Sequence, residues 1–205
     1  MTAVDAEIKK GRKFDQVLDG AREIFMRDGF EGASVDDIAR AAGVSKATLY
    51  SYFTDKRLLF SEVARLECNR QSDAAMQEIS TDAPVEIVLQ EAAGRAVRFF
   101  LSDFGQQVYR ICVAESYRFP ELGRRFYTSG PELMRERLTR LLIPYVERGI
   151  LRIDDMDLAC NQFCELCKSD LFVRRLCGMP CSIDDAAIDR VVMGAVEMFL
   201  ARYRA

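Results

Sequence analysis

Cysteine is the residue type whose spacing in this sequence first suggests chemistry. Seven cysteines are present, and Cys160, Cys164 and Cys167 have the C-x3-C-x2-C spacing of the radical-SAM iron–sulfur motif. On a helix, however, these positions are i, i+4 and i+7, which share one face, and a buried cysteine packs as a small hydrophobic residue. We therefore expect no metal and no cofactor.

Two further cysteines flank a loop. Cys177 and Cys181 lie on either side of Gly178-Met179-Pro180, where two thiols can be exposed and approach each other. The odd number of cysteines favours free thiols over a disulfide framework. Reversible oxidation of this pair therefore stays open as a regulatory hypothesis.

The absence of histidine excludes many kinds of enzyme. None of the 205 residues is a histidine, so Ser-His-Asp and Cys-His nucleophiles and His-ligated metal sites are all ruled out. The sequence also has no phosphate-binding loop and no other catalytic constellation. We expect that the protein is not an enzyme.

A set of hydroxyl, cationic and small side chains between residues 34 and 48 suits contact with DNA. Ser34 and Ser45 stand at predicted helix N-termini, where backbone N–H groups favour phosphate oxygens. Lys46 and Thr48 can reach phosphates or base edges, and the small Ala47 allows close approach to a thymine methyl group.

Additional side chains in the same region are placed for backbone phosphates, which position a protein without specifying sequence. These are Tyr50, Tyr52 and Lys56. A basic N-terminal arm can add phosphate or minor-groove contacts, and it consists of Lys9, Lys10, Arg12 and Lys13. Residues 1–60 nevertheless hold ten basic and ten acidic side chains, so the electrostatic argument is modest. From periodicity alone, a three-helix unit that never touches DNA remains the alternative.

The elements that must position these residues are helices. Nearly every apolar run follows a helical period, and no run alternates as a strand does. A first helix ends near Asp28-Gly29 and carries one apolar stripe: Phe14, Val17, Leu18, Ala21, Ile24 and Phe25. Ser34 begins a short second helix that Gly43 ends, and Ser45 caps a third helix in which Leu49 points inward. This order predicts a helix-turn-helix.

The remainder of the chain predicts larger helices and brings the total to about nine, in an all-α fold. The last two are expected at about Met156 to Leu176 and Ser182 to Tyr203, with Ser182 and Asp185 as a capping box. An apolar stripe follows on the final helix: Ile188, Val191, Val192, Ala195, Met198 and Phe199.

The stretch from Ser34 to Phe53, SVDDIARAAGVSKATLYSYF, closely resembles the tetracycline-repressor (TetR) family. The resemblance extends over about residues 12 to 60 and includes Phe25 and the Gly29-Phe30 turn. One departure is Arg57, where members often carry an acid, and this change can alter a phosphate contact of the fourth helix. The segment Glu115 to Glu121 is also similar to one C-terminal subclass of the family.

The resemblance implies an N-terminal DNA-binding domain, residues 1–57, and a helical effector-binding and dimerisation domain, residues 58–205. It implies a transcriptional regulator, most often a repressor that leaves a palindromic operator when a small hydrophobic effector binds. The homodimer would form through the last two helices, with the stripe from Ile188 to Phe199 at the interface. The two recognition helices would then lie about 34 Å apart, one turn of DNA.

An effector pocket would lie among the middle helices, although each of its residues could instead be ordinary core. The expected lining is aromatic or soft and apolar: Phe99, Phe100, Phe104, Tyr109, Phe126, Tyr127 and Met134. No uncharged apolar stretch of about 18 residues predicts a membrane span, and we expect a cytoplasmic protein.

Overall fold

The fold is built from helices joined by short turns, as the apolar periodicity predicts. The computed structural model describes residues 11–77, 82–180 and 182–205. The N-terminal helices are α1 (Arg12–Gly32), α2 (Val35–Ala41), α3 (Lys46–Tyr52) and α4 (Lys56–Gln77). They are followed by α5 (Val85–Leu101), α6 (Asp103–Glu115), α7 (Pro120–Tyr127), α8 (Leu133–Glu147), α9 (Met156–Leu166), α10 (Leu171–Leu176) and α11 (Asp185–Tyr203). A π-helical turn, Thr128–Glu132, joins α7 to α8.

The described residues therefore contain eleven α-helices, two more than the expected nine. The first addition is α7, which begins directly at Pro120 because proline suits the first helical position. The second arises because the helix expected from Met156 to Leu176 is broken. The break ends at Asp170, whose φ of +62° is incompatible with a continuous right-handed helix.

The start of α11 also differs from the expected capping box. Asp184 is its cap and accepts a hydrogen bond from the backbone N–H of Ala187 at 2.8 Å. Ser182 instead donates its hydroxyl to Asp184. Asp184 lies two residues closer to the helix than Ser182, and a carboxylate is the stronger acceptor for an N–H at a positive helix end.

Two hydrophobic cores run through the chain. One holds the buried side chains of α1 to α4 together with Val108, Cys112 and Leu122 from α6 and α7. The other joins α5 to α8, α9, α10 and α11. Helices α6 and α7 thus pack onto the N-terminal helices, and the domain boundary after residue 57 stays a prediction.

The apolar stripe of α11 lies inside this chain, which corrects its expected place at a dimer interface. Ile188, Val191 and Phe199 are buried in the second core, because α11 packs along α5 and α9. Of the six stripe residues, Met198 alone is exposed in the structure described here. No helix in the described part of the chain combines the length and apolarity needed to cross a bilayer.

Candidate nucleic-acid interface and effector site

The turn between α2 and α3 is held by the two serines expected at helix N-termini. The hydroxyl oxygen of Ser34 accepts from the backbone N–H of Asp37, and that of Ser45 accepts from the N–H of Thr48, both at 3.0 Å. Between the helices Gly43 has a φ of +63°, a conformation that other L-residues adopt at a cost. Both hydroxyls are thus engaged as caps, while the first backbone N–H groups of each helix still point outward.

A close backbone approach fixes α2 against α1. An added Cβ at Gly20 would lie 2.5 Å from the backbone nitrogen of Ala42. No side chain fits there, so the helix-turn-helix can pack at this depth because residue 20 is glycine. We did not single out Gly20 from the sequence. The available signal was a glycine inside the strong helical pattern of α1.

The outer face of α3 exposes fewer side chains than the sequence suggests. Lys46, Ala47 and Tyr50 are exposed, with Tyr50 at 43% of its full accessible area, and Thr48 is half-buried. The ring of Tyr52 instead packs edge-on against Phe14 with 5.5 Å between centroids. Tyr52 is half-buried and therefore helps to join α3 to α1.

Lys46 of α3 and Arg40 of α2 are each paired with an acid of α2. Lys46 Nζ lies 3.0 Å from Asp36, and Arg40 lies 2.7 Å from Asp37. The hydrogen bond to Asp36 raises the pKa of Lys46. The pKa of Asp37 is lowered, first by the Ser34 hydroxyl and then by Arg40. Phosphates would compete with these carboxylates for the two cations.

Lys56 is engaged by protein groups. Its Nζ donates to the carbonyl oxygens of Phe30 and Ala33 at 2.8 and 3.0 Å and lies 4.3 Å from the centroid of the Phe30 ring. It ties the start of α4 to the end of α1. Two of the three N–H donors of the Lys56 ammonium group are thus used by carbonyls, which leaves one for a phosphate. Of the basic arm, Arg12 and Lys13 are exposed, whereas Lys9 and Lys10 lie outside the described residues.

Four of the seven residues expected in the effector pocket lie in one aromatic row. Ring centroids are 6.1 Å apart between Phe99 and Phe100, and 6.0 Å between Tyr109 and Phe126. Phe172 of α10 links these pairs, at 6.0 Å from Phe100 and 5.0 Å from Tyr109. We did not anticipate Phe172, because the sequence places it in one long helix and not on a short helix turned towards α6.

The other three expected residues lie elsewhere or make no ring contact with the row. Phe104 packs near Phe60 in the N-terminal core, with 6.4 Å between centroids. Tyr127 is 57% exposed, and Met134 is half-buried on α8. A separate surface groove of about 480 Å³ lies between α5 and α11 and contains none of the seven.

Both the N-terminal and the C-terminal part of the chain match known protein families. Residues 17–63 match the family described as bacterial regulatory proteins, tetR family. Residues 87–205 match the C-terminal domain of AefR-like transcriptional repressors. The chain belongs to the TetR family.

Named TetR-family relatives agree with this assignment along most of the chain. The transcriptional repressor AcnR of Corynebacterium glutamicum is 25% identical over 155 residues, which are 74% of this chain and 76% of AcnR. A TetR-family regulator from Mesorhizobium loti MAFF303099 superposes with a TM-score of 0.81 at 27% identity, covering 97% of this chain and 100% of that one. The flavonoid-responsive regulator FrrA has a TM-score of 0.71 at 33% identity, covering 95% of this chain and 98% of its own.

These similarities establish the class of protein. It is a DNA-binding transcriptional regulator of the TetR family and not an enzyme, and its relatives include the repressor AcnR. The helix-turn-helix of α2 and α3 is the element that this family uses on double-stranded DNA.

The cysteines of this TetR-family chain divide by burial. Cys160 and Cys167 are buried and Cys164 is half-buried, whereas Cys177 is exposed. Burial raises the pKa of Cys164 and of Cys167 to about 12. Among the described residues, no group of three or more acidic or cysteine side chains is arranged to hold a metal ion. Cys181, the expected partner of Cys177, lies outside the described residues.

Proposed function

We propose that this regulator is a dimeric repressor that leaves a palindromic operator when a small hydrophobic effector binds at the aromatic row. The observation that carries the proposal is that one helix, α6, contacts both the aromatic row and the DNA-binding helices. Tyr109 of α6 belongs to the row, and Val108 and Cys112 of the same helix are buried in the core of the DNA-binding helices.

On DNA, α3 enters the major groove with Lys46, Ala47, Thr48 and Tyr50 towards the bases and phosphates. The backbone N–H groups that follow Ser34 and Ser45 approach phosphates, and Tyr52 and Lys56 support the docked geometry through α1. Support comes from the exposure of Lys46, Ala47 and Tyr50 on one outer face.

The DNA-binding part is tested with an operator selected by the wild-type protein from random duplex DNA. Lys46→Ala and Tyr50→Ala should each weaken binding in fluorescence anisotropy. Lys46→Ala should also make the dependence of log K on log salt concentration shallower by about one phosphate contact. Arg140→Ala, an exposed cation on α8, is the matched control. Wild-type affinity in both test variants would contradict the docking.

The dimer is assigned to α9, α10 and α11. Exposed apolar side chains on these helices support the assignment, namely Leu158, Val173 and Met198. Leu158→Asp with Met198→Asp should give a monomer in native mass spectrometry and abolish operator binding. Tyr117→Asp, on the exposed turn after α6, controls for added charge. A dimer that survives the double change would place the interface elsewhere.

The effector is assigned to the hydrophobic aromatic class. Support comes from the aromatic row and from the similarity to FrrA, which is named for its response to flavonoids. Flavonoids and simpler biaryls should release the protein from its operator, and Phe172→Ala should raise the concentration needed. The proposal fails if no aromatic compound changes operator affinity in an anisotropy titration.

Thiol oxidation is the alternative route of release, and the exposure of Cys177 favours it. Diamide should then weaken operator binding in the wild type and not in Cys177→Ser. Equal operator affinity before and after diamide would leave the aromatic effector as the signal. In either case we expect the protein to act in the cytoplasm, where its operator is.

A further inference from the structure

A buried glutamine beside the aromatic row has an amide oxygen that accepts no hydrogen bond from the described residues. Gln106 is 5% exposed, and its Nε2 donates to the backbone carbonyl of Phe100 at 2.7 Å. Within the described residues no donor reaches its Oε1. The orientation of the amide is determined by chemistry, since a carbonyl can only accept and must therefore face the NH₂ group.

An unsatisfied buried acceptor destabilises a protein, because water satisfied it before folding. Such a group is retained more readily where a ligand supplies the missing donor, and unpaired polar groups of this kind discriminate between ligands. The Oε1 of Gln106 is therefore a candidate recognition atom.

The position of Gln106 associates it with the row. It lies three residues before Tyr109 on α6, so both side chains project from neighbouring positions of one helix face. Its amide is bonded to Phe100, whose ring also belongs to the row. The half-buried rings of Phe100 and Tyr109 leave apolar surface that a flat ligand can cover.

We propose that Oε1 of Gln106 accepts a hydrogen bond from a hydroxyl group of a planar aromatic effector, so that the ligand class is phenolic. This inference rests on the proposed effector site. A carboxylate or an ether would bring a second acceptor to an acceptor, and neither fits. A cationic amine is disfavoured because Nζ of Lys168 lies 5.5 Å from the centroid of the Phe100 ring.

The test uses monohydroxyflavones, each paired with its methyl ether, and isothermal titration calorimetry on the full-length protein. The ether keeps the ring and the oxygen but loses the donor. For at least one hydroxyl position, the wild type should bind the phenol about tenfold more tightly than its ether. If every pair binds equally, the recognition atom is satisfied in another way, for example by a bound water, and the inference is overturned.

The variant Gln106→Leu should bring that ratio to within about twofold while binding of unsubstituted flavone is unchanged. Gln90→Leu, a glutamine of α5 whose amide faces Met193, should keep the wild-type ratio. Gln106→Met is a second, unbranched replacement in case the leucine does not fold, as judged by thermal denaturation. Retention of the ratio in a folded Gln106 variant would overturn the assignment.

These measurements distinguish a failure of the role of Gln106 from a failure of the aromatic effector. Flavones that bind and release DNA without any preference for the hydroxyl contradict the role of Gln106 and leave the aromatic effector standing. If neither the hydroxyflavones nor flavone bind the wild type, the aromatic effector and the role of Gln106 are both overturned.

Discussion

Nε of Arg57 lies 3.1 Å from a carboxylate oxygen of Glu115. The guanidinium group also lies 5.1 Å from the centroid of the Phe119 ring, and the backbone N–H of Arg57 donates to Asp55 at 2.7 Å. The residue that departs from the TetR pattern thus joins the first turn of α4 to the end of α6. Because α6 also carries Tyr109, we expect this ion pair to be one route by which the proposed effector would shift α4.

The Arg57–Glu115 pair should contribute measurably to stability. Both side chains are about 30% exposed (29% and 31%), so solvent screens the charges less than on an open surface. We expect a coupling energy of about 1 kcal/mol in a double-mutant cycle of Arg57→Ala and Glu115→Ala, measured by urea unfolding. The Glu136–Arg140 pair, which is far more exposed, should give a coupling close to zero. Equal couplings would contradict a specific role for Arg57.

Gly20→Ala should destabilise the DNA-binding helices. The new Cβ would meet backbone atoms of Ala42 at 2.5 to 2.8 Å, and backbone cannot move aside as a flexible side chain can. We expect a loss of about 1–3 kcal/mol in the free energy of unfolding. Gly94→Ala on α5 meets only the far end of Arg98 at 3.7 Å and should stabilise by up to about 1 kcal/mol. The urea midpoints of the two variants should therefore move in opposite directions.

Lys56→Met should lower the stability of the protein and leave the salt dependence of DNA binding unchanged. The change leaves the carbonyls of Phe30 and Ala33 without the ammonium donor that they now share, and we expect a loss of about 1–3 kcal/mol. At a temperature where the variant is folded, its operator binding should keep the wild-type salt dependence. A shallower salt dependence with unchanged stability would show that Lys56 contacts a phosphate.

The rate of alkylation should distinguish the exposed cysteine from the buried and half-buried ones. At pH 8 a thiol with a pKa of about 12 is almost entirely protonated, and the thiolate is the reactive form. Iodoacetamide should therefore modify Cys177 rapidly, and Cys164 and Cys167 slowly. Peptide mass spectrometry at timed quenches measures the rates. Comparable rates at Cys177 and Cys167 would show that the α9 face opens to solvent.

The same burial predicts a dependence of stability on pH. The folded pKa of Cys167 is raised above its unfolded value of about 8.5. The protonated thiol of Cys167 therefore makes its full contribution to the free energy of unfolding below pH 8.5. This contribution is lost as the pH rises towards 12. The urea midpoint of Cys167→Ala should fall less steeply than that of the wild type over this range.

Local sequence signals were sufficient for the helix-turn-helix. Ser34 and Ser45 cap α2 and α3 as expected, and Gly43 has the positive φ that the turn requires. Caps, turns and apolar periodicity depend on residues within a few positions of each other, so the sequence contains them directly. The all-α class and the TetR family follow from the same short-range patterns.

Other features depended on residues far apart in the chain. Phe172 completes the aromatic row, Lys56 binds carbonyls of α1, and the α11 stripe packs inside this chain. Periodicity shows that a face is apolar or a cation is available, but it does not show which partner covers that face or satisfies that cation. Short-range chemistry thus determined the helices and the family. Only tertiary packing decided which side chains remain free for DNA, for an effector or for a second subunit.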